Sequence, residues 1–215
     1  MKLYSVGLSP YAARVRLAIY AKGLDIEIAP PAGGGLKSAE YLAINPIGKI
    51  PSLVLGDGTV IPESDTILEY LEDKFPQKPL RPAVAEDAAR ARLLARIGDL
   101  YVMTAGGALF GQMNPATRDQ AAVDAAFAKL DDALAYLNVF LGEGPFALGA
   151  TFSTADCALA PMMFFMGLFE RTFAREGLLA KHTKLAAYAR HLHGDATVKK
   201  VYAEMQEGLG ARARG

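Results

Sequence analysis

The sequence predicts an α/β N-terminal domain with a mixed four-stranded sheet, followed by an all-α C-terminal helical bundle. Three observations carry this. Short alternating segments and helix-start signals take turns through residues 1–75. Pro76, Pro79 and Pro82 then fall within seven residues. From Ala83 onward every apolar pattern has helical rather than strand periodicity. The expected division is 1–77 for the α/β domain, 78–82 for a linker and 83–215 for the bundle.

Leu3-Tyr4-Ser5-Val6 is a brief strand. Ser9-Pro10 opens a helix, a hydroxyl cap followed by a proline whose missing N–H costs nothing in the first turn. Val15, Ala18 and Ile19 give that helix its apolar face, and Gly23 supplies its stop. Asp25-Ile26-Glu27-Ile28 alternates with period two and ends at Pro30-Pro31, as a strand does. Gly33-Gly34-Gly35 is a loop, lacking the strand-to-helix context of a phosphate cradle, and a weak helix follows at Ser38 to Leu42. Asn45-Pro46-Ile47-Gly48 breaks the chain. Ser52 to Leu55 and Thr59 to Ile61 then form a hairpin about Gly56-Asp57-Gly58. Ser64 is placed as the cap of a helix running to Phe75, with Ile67, Leu68 and Leu71 inward.

In the second domain Leu93, Ile97, Leu100, Tyr101 and Thr104 mark one helix face. Val123, Phe127, Leu130, Leu134, Leu137 and Leu141 step by fours and threes along a long amphipathic helix. Ser153-Thr154-Ala155-Asp156 opens a helix apolar nearly all round, the expected centre of the bundle, with Asp156 standing in for the usual Glu of a capping box. Shorter helices are expected near Leu185–Leu192 and Val198–Glu207, and Gly208–Gly215, with Arg212 and Arg214, as a frayed tail.

Composition excludes more than it identifies. With 23 basic and 23 acidic side chains, the chain lacks the cationic surplus that phosphate backbones or anionic lipid surfaces demand. The lone Cys157 excludes an internal disulfide and a cysteine-based zinc site, and in its apolar helix it reads as a small buried hydrophobe. His182, His191 and His193 form no metal site. The longest apolar stretch, Cys157 to Phe169, holds Pro161 and Gly167 and is shorter than the ~20 residues a membrane span needs. No export signal is evident, so a protein of a reducing, aqueous compartment is expected.

Four motifs in register resemble those of the soluble glutathione transferase family. Ser9-Pro10-Tyr11, with Arg14-Val15-Arg16 behind it, is similar to the serine-type active-site segment. Asn45-Pro46-Ile47-Gly48-Lys49-Ile50-Pro51 resembles the turn before the family's cis-proline. Pro62-Glu63-Ser64-Asp65-Thr66-Ile67 is similar to its third-helix signature, and Ser153 to Asp156 to its core-helix capping box.

The resemblance implies a thioredoxin-like glutathione-binding domain, and glutathione as co-substrate without separate cofactor or metal. It also implies a cytoplasmic homodimer whose partners are glutathione and an electrophilic small molecule, with no nucleic acid and no membrane. Carried over residue by residue, Ser9 donates to the glutathione sulfur. Ile50, before a cis Pro51, pairs with the cysteinyl backbone. Ser64 holds the γ-glutamyl carboxylate and Glu63 the ammonium. Lys37 and Lys49 meet the glycyl end, and Tyr11 lines the pocket. Tyr4 is the alternative thiol donor. Asp99 resembles an acidic residue that reaches across the family's dimer interface. Met103, Phe110 and Met113 are placed in an electrophile pocket, in the core or at a dimer contact. The expected reaction is conjugation of the thiolate to apolar electrophiles. A glutathione-dependent isomerase like those acting on maleylacetoacetate, a dehalogenase, or a non-catalytic scaffold of the same fold remain as alternatives. Isomerising relatives carry Ser-Ser-Cys where this chain has Ser9-Pro10-Tyr11. Serine at position 9 also disfavours disulfide exchange, which needs a cysteine there.

Overall fold

The computed structural model describes residues 1–212, with side chains through Ala211. Two compact units emerge, Met1–Leu80 together with the segment that begins at Asp195, and Arg81–Gly194.

The first unit is built on a four-stranded sheet in the order β2-β1-β3-β4. β1 (Lys2–Tyr4) pairs parallel with β2 (Glu27–Ala29) and antiparallel with β3 (Ser52–Val54), which pairs antiparallel with β4 (Val60–Pro62). The sheet is mixed, as the sequence predicts. Its strands are shorter than expected at β1, because Ser5, Val6 and Gly7 turn their polar groups to the Arg16 side chain. In the β2 region Ile26 is buried while Ile28 is exposed, so this edge strand uses one apolar residue inward rather than two. The β3–β4 turn closes through Leu55 N–H to Thr59 O (2.8 Å) and Thr59 N–H to Asp57 Oδ1 (2.9 Å).

Helix α1 (Pro10–Lys22) begins at the Ser9 cap and ends at Gly23, whose φ of 67° supplies the left-handed stop that favours glycine. It packs on α3 (Ser64–Lys74), burying Val15, Ile19, Ile67 and Leu71 beside Leu3 and Leu53 of the sheet. Lys22 Nζ pairs with Glu72 Oε1 at 2.7 Å and donates to Lys78 O at 2.8 Å, while Glu72 Oε2 accepts from Leu80 N–H at 2.9 Å. The proline-rich segment is thereby tied to α1 and α3. Helix α2 (Ala39–Ile44) is capped by Ser38, and the glycine loop before it contains a short 3₁₀ turn, Ala32–Gly34.

The second unit contains α4 (Ala85–Ile97), α5 (Met103–Phe110), α6 (Gln120–Phe140), α7 (Thr154–Phe173) and α8 (Thr183–Leu192). A π-helical turn, Gly98–Val102, joins α4 to α5 into one run. That run, Ala85–Phe110, has the length and apolarity to cross a bilayer, against the expectation of no such segment. Here it packs against α6 and α7 through Leu94, Ile97, Val102 and Leu109. The expected face is also corrected: Leu93, Leu100 and Tyr101 are exposed and only Ile97 of the predicted apolar set is buried. The π turn shifts the register beyond Ile97, and a Cβ on Gly98 would stand 2.7 Å from the flexible end of the Met162 side chain, so α7 packs closely against the turn here. The α6 stripe is buried throughout, from Val123 to Leu141. Helix α7 is the buried centre, with Cys157 fully enclosed and a capping box between Ser153 and Asp156.

Helix α9 (Ala196–Arg212) departs most from expectation. It belongs with the sheet unit, where it packs on α1, rather than with the 83–215 bundle. Its helix continues through Gly208–Arg212, which the sequence places in a frayed tail, whereas Ala213, Arg214 and Gly215 lie outside the described residues. Within this span Gly208 meets the backbone at Leu8, which gives the helix something to pack on.

Candidate glutathione site

Strand register gathers the motif residues. Tyr4 at the end of β1 stands opposite Ser52 at the start of β3, and Ser52 opposite Pro62 at the end of β4. The segments beyond these positions, Ser5–Ser9, Lys49–Pro51 and Glu63–Ser64, therefore share one end of the sheet. Tyr4 also pairs with Ala29, so the chain leaving β2 toward Lys37 departs from the same end.

Ser9 is half-buried at the mouth of α1. Its Oγ accepts from Ala12 N–H at 3.2 Å, and its own N–H donates to Val6 O at 3.1 Å. Among the described residues no acceptor takes the Ser9 hydroxyl proton, which leaves one O–H donor at a positive helix end. Tyr11, in the first turn, is half-buried with the Arg14 guanidinium 5.7 Å from its ring centre. The Tyr4 ring packs edge-on against Tyr41 at 5.6 Å.

The Ile50–Pro51 bond is cis, as the motif implies. The loop leading to it is fixed from beneath. Lys49 O accepts from the Tyr41 hydroxyl (2.6 Å) and Asn45 Nδ2 (2.9 Å), and Asn45 Nδ2 also reaches Ser52 Oγ at 2.8 Å. Asn45, Tyr41 and Ser52 are all buried, so this network holds the Lys49–Pro51 backbone in place without using any of its outward-facing groups. Lys49 and Lys37 are exposed. A Cβ on Gly48 would lie 2.8 Å from Lys37 Nζ, which brings Lys37 to the same loop.

At α3 the sequence expectation is corrected by one position. The capping residue is Glu63, and Ser64 is the first helical residue. Glu63 is non-glycine at φ 68° and ψ 120°, a conformation that costs ~1–3 kcal/mol and is typical of ligand-holding positions. Among the described residues no side chain caps this helix end, so its first N–H groups are available to an anion. Ser64 is buried and Glu63 exposed. Together the three segments offer a hydroxyl donor, an extended backbone edge, a helix N-terminus beside a carboxylate, and two flanking ammonium groups. That set matches a tripeptide bearing a thiol, two carboxylates and an ammonium.

Three residues were missed by sequence reasoning. Arg16 is 3% exposed and binds Ser5, Val6 and Gly7. Glu204 of α9 faces Arg16 Nε at 2.9 Å and accepts from the Tyr20 hydroxyl at 2.7 Å. Burial draws Arg16 below its ordinary value, with Glu204 and Tyr20 acting against it. Burial and then the Glu204 bond raise Tyr20 well above the usual phenol range. Only the Arg14-Val15-Arg16 segment hinted at any of this.

The remaining candidates are dispersed. Phe110, half-buried, packs edge-on against Phe165 and Phe169 (5.0 and 5.1 Å) in the helical unit. Met103 and Met113 are half-buried, and Asp99 lies half-buried in the π turn. His182 pairs with Asp131 at 2.9 Å, and His191 packs edge-on against Phe146 at 4.9 Å. Among the described residues no three metal-ligating side chains cluster.

Residues 3–79 match the glutathione S-transferase N-terminal domain, and residues 120–191 the corresponding C-terminal domain. Glutathione S-transferase 1 of Dianthus caryophyllus is 48% identical over 84 residues, 38% of this chain and 38% of the relative. A maleylacetoacetate isomerase of Pseudomonas aeruginosa is 38% identical over 101 residues, 45% of this chain and 48% of the relative. The chain thus aligns with less than half the length of either. A stringent starvation protein A homologue of Coxiella burnetii aligns more widely, at 30% identity over 76% of this chain and 75% of its own. Among solved structures, glutathione transferase F7 of Populus trichocarpa superposes with a TM-score of 0.80 at 25% identity, covering 95% of this chain and 98% of that one. A glutathione S-transferase of Methylobacterium radiotolerans, crystallised with glutathione sulfonate, gives 0.76 at 27% identity, covering 94% and 93%. Both domain matches, in order along a fold with this sheet and these helices, place the chain in the glutathione S-transferase family.

Proposed function

We propose that this protein binds glutathione at the C-terminal end of β1, ionises its thiol, and conjugates it to electrophilic, mostly apolar small molecules. The observation that carries the reading is the unused Ser9 hydroxyl proton at the N-terminus of α1. A free thiol has a pKa of ~8.5, so only a few per cent is ionised at pH 7. Lowering it by about two units takes ~2.7 kcal/mol at ~1.36 per unit. A hydroxyl bonded to a charged group supplies ~1.5–3 kcal/mol, and a helix end ~0.3–1. The two together meet the requirement. Ser9 acts as a fixed donor to the sulfur, not as a base or a covalent nucleophile.

In this reading the γ-glutamyl carboxylate sits on the free N–H groups of α3 with Ser64, and the ammonium on Glu63. The Ile50 backbone pairs with the cysteinyl residue as an added strand, Lys37 and Lys49 receive the glycyl carboxylate, and Tyr11 borders the thiol. No separate cofactor or metal takes part. The exposed Leu100, Tyr101 and Tyr136, which line one cavity, support a homodimer, because such an apolar patch on one unit marks a protein contact. Asp99, in the π turn of that unit, reaches the second protomer. A single buried cysteine suits the cytoplasm.

Two further readings each have an observation behind them. The isomerase reading has the maleylacetoacetate isomerase relative, and the scaffold reading has the fact that the more widely aligned relative does not carry a transferase name. A chloro-nitroaromatic conjugation assay alongside a maleylacetoacetate isomerisation assay separates the first pair. Wild type, Ser9→Ala and Tyr4→Phe are compared in whichever assay is positive. Turnover lost in Ser9→Ala and kept in Tyr4→Phe supports the proposal, and the reverse assigns the donor to Tyr4. Absence of glutathione binding leaves the scaffold reading.

A further inference from the structure

The loop that delivers Ser9 is held from behind by the C-terminal helix. Arg16 donates from Nη1 to Ser5 Oγ (2.7 Å) and Val6 O (3.0 Å), and from Nη2 to Gly7 O (2.7 Å). One buried guanidinium thus ties three consecutive residues between β1 and α1. The Val6 carbonyl it holds is the same one that accepts the Ser9 N–H at 3.1 Å. The remaining edge of Arg16, Nε, faces Glu204 Oε2 of α9 at 2.9 Å. Glu204 is itself oriented by the Tyr20 hydroxyl at 2.7 Å, and Lys200 of the same helix sits 3.5 Å from the Tyr20 ring centre.

The backbones meet as well. A Cβ on Gly7 would fall 2.8 Å from Glu204 O, and a Cβ on Gly208 2.6 Å from Leu8 N. Neither glycine needs a left-handed backbone, so both are there for close approach of α9 to the Gly7–Leu8 loop. Side-chain ties and backbone contact converge on the same four residues, those immediately before the proposed thiol donor.

We infer that Glu204 is a positioning residue for thiol activation, acting through Arg16 and the Val6 carbonyl to fix where Ser9 presents its hydroxyl. This rests on the functional reading of Ser9 given above. A hydrogen bond weakens steeply when its geometry drifts, and a displacement of about 1 Å at a reacting group costs up to ~100-fold in rate. Sequence separation of 188 residues between Arg16 and Glu204 hides this link from any local reading.

The test measures the pKa of glutathione's thiol in the complex by thiolate absorbance, with the dissociation constant of glutathione measured beside it. Wild type, Ser9→Ala, Glu204→Gln, Gly208→Ala and the mild Tyr20→Phe are compared. Expected for Glu204→Gln and Gly208→Ala is a thiol pKa raised by about half to one unit, with glutathione affinity at about pH 6, where the bound thiol is mostly protonated, within about twofold of wild type. Turnover near neutral pH falls and recovers at alkaline pH. Tyr20→Phe shifts in the same direction by less. On a Ser9→Ala background Glu204→Gln adds nothing to the thiol pKa, because both act through one hydroxyl. If Ser9→Ala raises the thiol pKa while Glu204→Gln, Gly208→Ala and Tyr20→Phe leave it unmoved and only lower the melting temperature, α9 is merely structural and the inference is overturned. If Ser9→Ala itself leaves the thiol pKa unmoved, the functional reading fails and this inference falls with it.

Discussion

Replacing Ser9 by alanine perturbs two things that pH can separate. The first is the helix cap. Ser9 Oγ accepts from Ala12 N–H at 3.2 Å, and losing a serine cap costs ~1 kcal/mol of stability. That loss is the same at every pH, since no titrating group is removed. The second is the donor to the bound thiolate, worth ~1.5–3 kcal/mol for a hydroxyl facing a charge. At ~1.36 kcal/mol per unit this returns the bound thiol about 1–2 units toward its free value of ~8.5. If the wild-type complex ionises near pH 6.5, conjugation at that pH falls about 5–50-fold, and the deficit nearly vanishes by about pH 9, where both thiols are ionised. The assay is a pH profile of kcat with saturating glutathione, paired with thermal denaturation. A deficit of equal size at all pH values would refute the reasoning, because it would assign Ser9 only to the fold.

Three other perturbations follow from the structure. Glu63→Gly relieves a φ of 68° that costs ~1–3 kcal/mol, less ~0.5–1 for added chain freedom, so the melting temperature rises while glutathione affinity drops; a lower melting temperature would contradict the strain. Lys22→Met leaves Glu72 charged at 3% exposure, and breaking such a pair costs ~3–5 kcal/mol in urea denaturation, with part recovered in Lys22→Met/Glu72→Gln; a single-variant loss under ~1 would refute it. Burial pushes the Asp156 carboxyl up to about 6, despite donors from Ala147 N–H, Ser153 N–H and the Ser153 hydroxyl. The folded chain then holds a proton that the unfolded chain, at 3.8, does not. This contribution is full below about pH 4 and is lost as pH rises through about 6. The stability advantage of wild type over Asp156→Asn should therefore shrink from pH 4.5 to about 7.5, and a difference that stays flat would count against the shift.

What the sequence made legible was local. Ser9-Pro10 and Gly23 mark both ends of α1 because caps are encoded within a few residues. The same holds for the Gly56–Gly58 turn and the Ser153–Asp156 box. Where the chain's geometry departs from its regular period, the reading slipped. Leu93, Leu100 and Tyr101 fit a helical repeat, yet α4 buries the neighbouring face of Ala88, Ala91, Leu94 and Ala95, and the π turn at Gly98–Val102 then leaves Leu100 and Tyr101 outward and brings Val102 in. Ser64 resembled a cap because serine caps are common. The position is taken by Glu63 in a conformation its residue type does not announce. Helix α9 was legible as a helix and not as a partner of α1, since Arg16, Tyr20 and Glu204 look like ordinary surface residues until the fold joins them. Of the proposed site, the motifs supplied the candidate residues, and the pairing of Tyr4, Ser52 and Pro62 across the sheet explains why their segments share one end.

The central claim is that this sheet end binds glutathione and ionises its thiol. Calorimetric titration of glutathione near neutral pH, in buffers of different ionisation enthalpy, tests it directly. The account predicts saturable binding at one site per chain with release of most of one proton, and release that is largely lost in Ser9→Ala. Binding without proton release, or no binding at all, would contradict it.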